Sequence, residues 1–344
     1  MTTIALDVMG GDHAPDAPLS GAAYFSLKAD CPQLVLVGDA HRIEEFLLHE
    51  AHDRRRISVV DAPDFVPMDA DPKATLDAQP NASVAVAARL VKAGRADALV
   101  SAGNTGGVVL ACARSWERLA GVPRAALGAV YPREVRHDAL PGERNDPFSL
   151  ILDAGLTLDV DAEALVAFAL MGSAYASRIA KNPRPRVALL SNGTEAQKGT
   201  AAVVEANARL RARTDLNFIG NIEGLDIPKG TADVVITGGF TGNIVLKMLE
   251  GVAETMQSLV RSAADASLLN KAALVMLLPA LNELKKTTDW QQYGGAPVLG
   301  FEHVCIKAHG RSSPRAIKNA VKVATRAVET QLVQAIRSAL STTS

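Results

Sequence analysis

A chain of 344 residues with 48% hydrophobic content has the apolar material for a large core, and 4% aromatics assigns that core to Ala, Val, Leu and Ile. The 36 Lys and Arg side chains against 37 Asp and Glu exclude bulk electrostatic binding of nucleic acid. Cys31, Cys112 and Cys305 form no C-x-x-C pair and fit small core residues in a reducing cytoplasm, and the longest apolar run, 272–281, contains Pro279 and is too short to span a bilayer.

The chain opens directly on a strand, 4–8, with no charged-then-apolar leader before it. That strand runs into Met9-Gly10-Gly11-Asp12-His13, and 15–28 reads as a helix. A strand at 34–38 leads to Asp39, a suitable cap for a helix over 41–50. After a strand at 57–60 comes a polar stretch, 61–80, punctuated by Pro63, Pro67, Pro72 and Pro80 and long enough to suggest function or mobility. An amphipathic helix over 82–92 closes on Gly94 and feeds the apolar run Ala98-Leu99-Val100. Strands at 126–130 and 150–153 flank a charged excursion, 133–147, expected at the surface. A helix over 162–179 and strands at 187–190, 217–220 and 233–237 follow, then two long helices, about 244–264 and 268–286, read as a helical hairpin. A last strand, 304–307, precedes His309-Gly310 and one terminal helix over 314–340, in which Ile317, Val321, Ala324, Val328, Leu332 and Ile336 keep a 3.6 period. This succession is the βαβ signature of an α/β fold with a mostly parallel sheet and helices on both faces.

The stretch Ser101-Ala-Gly-Asn-Thr-Gly106 reads as a strand-to-helix turn that presents backbone N–H groups to an anion. Gly103 and Gly106 permit close approach there, while Ser101, Asn104 and Thr105 add polar partners. The turn is echoed without gaps at Ile236–Leu246, which repeats Gly239, Thr241 and Gly242 in the places of Gly103, Thr105 and Gly106 and suggests two walls of one cleft. Strand ends at Gly10-Gly11, Gly193 and His309-Gly310 carry the same chemistry. Such crowding at the carboxyl ends of strands points to a site for an anionic ligand. Neither a G-x-x-x-x-G-K-[ST] loop nor a G-x-G-x-x-G fingerprint is present, which disfavours nucleotides and a dehydrogenase.

Asp7-Val-Met-Gly-Gly-Asp12, Ser101–Gly106, Glu195-Ala-Gln-Lys-Gly199, Phe218–Gly224, Gly239-Phe-Thr-Gly-Asn-Ile-Val-Leu-Lys247, Gly294–Gly300 and His309-Gly310 together resemble the bacterial acyl-carrier-protein:phosphate acyltransferases of phospholipid synthesis, in order and over nearly the whole chain. The resemblance implies a three-layer α/β/α fold of phosphotransacetylase and isocitrate-dehydrogenase type, a single catalytic unit over 1–344 with the hairpin at 244–288 serving a dimer or membrane contact. It also implies transfer of a long-chain acyl group from acyl carrier protein to inorganic phosphate. A homodimer, no metal or organic cofactor, and a cytoplasmic protein touching the inner membrane face and handing acyl phosphate to a glycerol-phosphate acyltransferase complete the expectation.

Attack of phosphate on a thioester needs an anion cradle, an oxyanion donor and a proton for the leaving thiolate. Lys198, Asn104 and His309 are the expected catalytic groups: Lys198 as the cation and His309 as donor to sulfur. Gly10, Gly11, Asp12, Ser101, Gly103, Thr105 and Gly106 form the expected substrate-binding wall, with Thr241, Gly242 and Asn243 opposite. Asp7 and Asp12 are expected to orient the Gly10-Gly11 turn, since a carboxylate beside phosphate repels it. Cys112 is read as core before acyl acceptor.

The chain departs from the family pattern in four places. A basic residue and a Ser-Ser or Thr-Ser pair give way to Leu76–Ser83, Asp-x-Gly-Ala-Asn to Asp153-Ala-Gly-Leu-Thr157, Asp-Gly-Phe to Gly238-Gly239-Phe240, and Arg-Pro-Ala to Arg124-Ala125-Ala126. Two further readings therefore stand beside the first: a phosphotransacylase of the same fold using acyl-CoA, and a non-catalytic homologue that binds acyl carrier protein or acyl phosphate.

Overall fold

Ile4, Ala5 and Leu6 have no solvent exposure because their strand lies between two parallel neighbours with helices on both faces, so it reads as an unbroken apolar run. The computed structural model describes residues 2–134, 148–288 and 294–341. Its strands are β1 (Thr3–Asp7), β2 (Gln33–Gly38), β3 (Ile57–Asp61), β4 (Ala98–Ser101), β5 (Ala126–Pro132), β6 (Phe148–Leu152), β7 (Val187–Leu190), β8 (Phe218–Ile222), β9 (Val234–Ile236), β10 (Ala296–Leu299) and β11 (Val304–Lys307). Its helices are α1 (Asp16–Ser26), α2 (Ala40–His49), α3 (Pro72–Ala78), α4 (Ser83–Lys92), α5 (Thr105–Ser115), α6 (Ala162–Arg178), α7 (Ala201–Arg211), α8 (Asp226–Lys229), α9 (Gly239–Asp265), α10 (Leu268–Thr288), α11 (Pro314–Glu329) and α12 (Leu332–Ser341).

All of these strands join one 11-stranded sheet in the order β3-β2-β1-β4-β11-β10-β5-β6-β9-β7-β8. Side chains alternate between its faces. Ile4, Leu6 and Val100 pack in one core with Leu19 of α1, Phe168 of α6 and Ile317 of α11, while Ala5, Val37 and Leu99 pack in another with Val84 of α4 and Val108 of α5. Beyond β5, a third cluster sets Ile151, Ala188 and Val235 against Val245 and Leu249 of α9. The result is the expected three-layer α/β/α arrangement with a mostly parallel sheet.

Strand polarity reverses within that sheet. β10 is antiparallel to both neighbours and β5 is antiparallel to β6. Consequently β1 to β4, β11 and β5 run one way, and β10, β6, β9, β7 and β8 run the other. The loops at Gly10, Gly103 and Gly310 thus leave strand ends of one polarity, and those at Gly193 and Gly239 leave strand ends of the other.

Asp39 caps α2 as its position predicts, accepting from the Arg42 amide at 3.1 Å. The proline-punctuated stretch 61–80 contains α3, capped by Asp71 with Pro72 at its first position, where a missing N–H costs nothing. The terminal helix is two: α11 ends at Thr330, and Gln331 at φ +54° turns the chain into α12. Helix α7 and strand β10 were not anticipated; β10 is short and carries Pro297, which removes a ladder donor. The expected excursion 133–147 lies, from residue 135 on, outside the described residues, as do the side chains of Leu281, Lys285 and Lys286 in the hairpin. From Gly251 to Leu269 only Ala264 is buried, so the hairpin of α9 and α10 stands out from the sheet. Among the described residues no helix is long and apolar enough to cross a membrane.

Candidate active site

The first half of the site is organised by Asp7, 2% exposed at the end of β1. Its carboxylate accepts from Ser83 Oγ at 2.7 Å, Ser101 Oγ at 2.6 Å and the Met9 amide at 3.2 Å. Burial pushes its pKa up against the lowering effect of those hydrogen bonds. Ser101 Oγ also accepts from the Gly103 amide at 3.0 Å, so one buried carboxylate fixes two turns at once. The turns touch through backbone: a Cβ at Gly10 would stand 2.7 Å from Gly103 Cα. A third turn joins them, because the Asp12 amide donates to Gly310 O at 2.9 Å and Ala308 N to Ser101 O at 2.9 Å.

Asn104 ends this turn and starts α5. Its Oδ1 accepts from the Gly107 amide at 3.1 Å, and its Nδ2 donates to Met68 O at 3.0 Å, clamping the strap before α3. Thr105 becomes the first residue of the helix.

The second half turns on Asp153, fully buried after β6. It accepts from the amides of Leu127 at 2.9 Å, Gly155 at 3.1 Å, Leu156 at 3.1 Å and Thr157 at 2.8 Å, and from Thr157 Oγ1 at 2.9 Å. Thr157 Oγ1 in turn accepts from the Gly239 amide at 2.9 Å. Helix α9 is therefore capped from another loop, whereas α5 is capped by its own Asn104. At Gly242 a Cβ would overlap the Asp153 carbonyl oxygen, so only glycine lets α9 lie this close.

Between the halves lies a cavity of about 350 Å³. Thr105, Asn243, Lys247, Glu250, Lys307 and His309 supply its polar lining, and Leu127, Ala129, Val130 and Leu246 its apolar wall. Lys307 is 8% exposed, and burial, opposed by Asp12 and reinforced by Lys247, lowers its pKa to about 8. Lys247 pairs with Glu250 at 2.6 Å. His309 is pushed below its ordinary value by burial and then by Lys307, Arg311 and Lys247, so it is mostly neutral at pH 7. Its Nδ1 accepts from the Arg311 amide at 3.1 Å, which leaves the ring hydrogen on Nε2. A second cavity, about 820 Å³, lies by the start of α9 and is lined by Leu158, Val160, Asn192, Thr200, Phe240 and Thr241 among others.

Residues 2–335 match the family described as "Fatty acid synthesis protein". The chain is 41% identical to a phosphate acyltransferase of Moorella thermoacetica, over 97% of this chain and 94% of that one. The chain belongs to the phosphate acyltransferase family. A phosphate acyltransferase of Thermodesulfovibrio yellowstonii is 40% identical over 100% of this chain and 95% of its own length. The fold is that of a phosphotransacetylase from Streptococcus pyogenes, with a TM-score of 0.62 at 16% identity, covering 95% of this chain and 94% of that one.

In this phosphate acyltransferase fold, Thr105, Asn243 and His309 come together in the first cavity. Gly10, Gly11, Asp12, Ser101, Gly103 and Gly106 belong to the turn cluster that carries Thr105 and His309, and Asp7 orients it as expected. Four expectations change. Asn104 is a helix cap and strap clamp, because both ends of its amide are engaged by backbone. Thr241 lines the second cavity, and Lys198 is exposed on the loop whose Asn192 and Gly199 border that cavity; the reversal of strand polarity separates both from Thr105. Gly242 faces Asp153 as a packing glycine.

Lys307 and Lys247 were not assigned roles from sequence. A lysine closing the apolar run Val304-Cys305-Ile306 was the available signal, as was Lys247 one helical turn beyond Asn243. Cys112 is fully buried with its thiol pKa pushed well up by burial, which fits the core reading. Arg55 and Arg56 pair with Asp53, and Arg186 pairs with Asp233. The departures at Thr157 and Gly238 are adjacent, since Thr157 caps the residue that follows Gly238.

Proposed function

We propose that the chain transfers a long-chain acyl group from acyl carrier protein to inorganic phosphate, yielding acyl phosphate and the free carrier thiol. The observation that carries this reading is the first cavity, where a buried lysine, Lys307, and a second cation, Lys247, meet the start of α5 at Thr105 beside a long apolar wall. Phosphate is held by the lysines and the α5 N-terminus. Asn243 and the Nε2–H of neutral His309 donate to the tetrahedral oxyanion. Lys198, from the loop bordering the second cavity, supplies a cation on the other side of α9 for the incoming donor.

The hairpin supports a homodimer. Phe240, Ile244, Met248, Val252 and Met256 recur every fourth residue along α9 and are all exposed, an apolar stripe that a second copy covers. Exposed Leu268, Leu269, Met276 and Leu277 on α10 suit peripheral contact with the inner membrane face, where a glycerol-phosphate acyltransferase receives the product.

The test is acyl-phosphate formation by purified protein from palmitoyl acyl carrier protein plus phosphate, with palmitoyl-CoA as the parallel donor. The expected result is turnover with the carrier protein, lost in Asn243→Ala, with Lys198→Ala raising the KM for donor. Turnover with the CoA thioester alone would favour the CoA-using reading, and no acyl phosphate from either donor would refute the proposal.

A further inference from the structure

Lys307 sits where a proton is needed. It closes β11 with its backbone held on both sides, in register with Ser101 of β4 and Ala296 of β10, so its position is set by the sheet rather than by a loop. The charged groups around it are Asp12 from the β1–α1 turn, Lys247 and Glu250 from α9, and His309 and Arg311 just beyond its own strand. Lys247 is already paired with Glu250. No side-chain hydrogen bond or ion pair holds Lys307 among the described residues, and Lys307 lines the first cavity, where its ammonium can meet an anion or a proton acceptor. His309, mostly neutral at pH 7, serves better as a hydrogen-bond donor than as a source of protons.

We propose that Lys307 is the general acid that protonates the departing sulfur. This rests on the transacylase reading. An oxygen of hydrogen phosphate attacks the thioester carbon, the C–O bond forms, and the carbonyl electrons move to the oxygen. On collapse the C–S bond breaks, and its electron pair on sulfur takes a proton from Lys307 Nζ. The neutral amine then takes the proton that the new acyl phosphate sheds, which restores the ammonium and leaves atoms and charge balanced. A lysine whose pKa lies near that of an alkyl thiol is matched to this transfer.

The experiment compares two small donors with the same acyl chain, an alkyl thioester of N-acetylcysteamine and an S-aryl thioester whose leaving thiolate departs without a proton. In Lys307→Ala, kcat with the alkyl donor is expected to fall about 10²–10⁴-fold, the range of general-acid catalysis, and with the aryl donor less than about tenfold. Lys307→Arg keeps a cation that does not give up its proton; it is expected to hold the KM for phosphate within a few-fold while failing to restore alkyl-donor turnover. The wild-type kcat/KM is expected to fall above about pH 8, as Lys307 of the free protein loses its proton, and that limb vanishes in Lys307→Arg. Equal losses with both donors, or recovery of alkyl turnover by Lys307→Arg, would overturn the assignment and leave Lys307 a phosphate-binding cation. Absence of acyl phosphate in the wild type overturns the transacylase reading itself, and the assignment with it.

Discussion

Thr157→Val keeps the shape of the side chain and removes both hydroxyl hydrogen bonds of a residue only 6% exposed. The Gly239 amide loses its only cap, and a buried donor left unsatisfied costs about 1–3 kcal/mol. Asp153 loses one hydroxyl but keeps the amides of Leu127, Gly155, Leu156 and Thr157, so that loss sits near the lower end of about 1 kcal/mol. Together the substitution is expected to destabilise the protein by about 2–4 kcal/mol, whereas Thr157→Ser, which keeps the hydroxyl, costs less than about 1 kcal/mol. Equilibrium urea denaturation of the two variants beside wild type measures the difference, and the acyl-phosphate assay reads its effect on α9, which carries Asn243 and Lys247. A Thr157→Val protein within about 0.5 kcal/mol of wild type would refute the idea that this hydroxyl holds the helix start. The same geometry makes Thr157→Asn tolerable, since an amide can accept from Gly239 and donate to Asp153. Gly238→Asp requires Val160 to shift, because its Cβ would stand 2.9 Å from Val160 Cγ2.

Asp233 holds Arg133 and Arg186, each at 2.8 Å; Asp233→Ala removes the carboxylate that both guanidinium groups share while their bonds to the Phe148, Gly230 and Thr231 carbonyls remain, and is expected to cost about 1–3 kcal/mol in the same denaturation experiment. Asn104→Asp keeps the cap on α5 but loses the donor to Met68 O, so amide exchange is expected to speed up at Met68 to Ala70 while α5 stays protected; unchanged exchange there would count against the clamp. His309 has its folded pKa below its unfolded value near 6.5, so the unfolded chain binds the proton first and stability falls as pH drops below about 6.5. Thermal unfolding scans of His309→Gln should lose that part of the pH dependence, and an unaltered slope would show that His309 is not held neutral by its surroundings.

What was legible in the sequence, and what was not, follows from which interactions are local. β1 and β4 could be read because strands buried on both faces must be apolar throughout, and the Asp39 cap because it is satisfied three residues away. Strand direction is not local. Nothing in Ala296–Leu299 says that it runs against both neighbours, and nothing in Phe148–Leu152 says that it runs against β5, yet the β5–β6 pairing reverses the second half of the sheet and decides which glycine turns share a cavity. The echo of Ser101–Gly106 at Thr237–Gly242 misleads for the same reason, since Phe240 stands where Asn104 supplies a cap and the missing cap comes from Thr157, 82 positions before Gly239. Asn104 shows the converse limit: an amide suited to an oxyanion is equally suited to a helix end, and only the placement of Met68 O and the Gly107 amide decides between them. Lys307 escaped notice because a lysine ending an apolar strand is ordinarily solvated; its burial beside Lys247 and His309 exists only once α9, from the reversed half of the sheet, is laid across the end of β11.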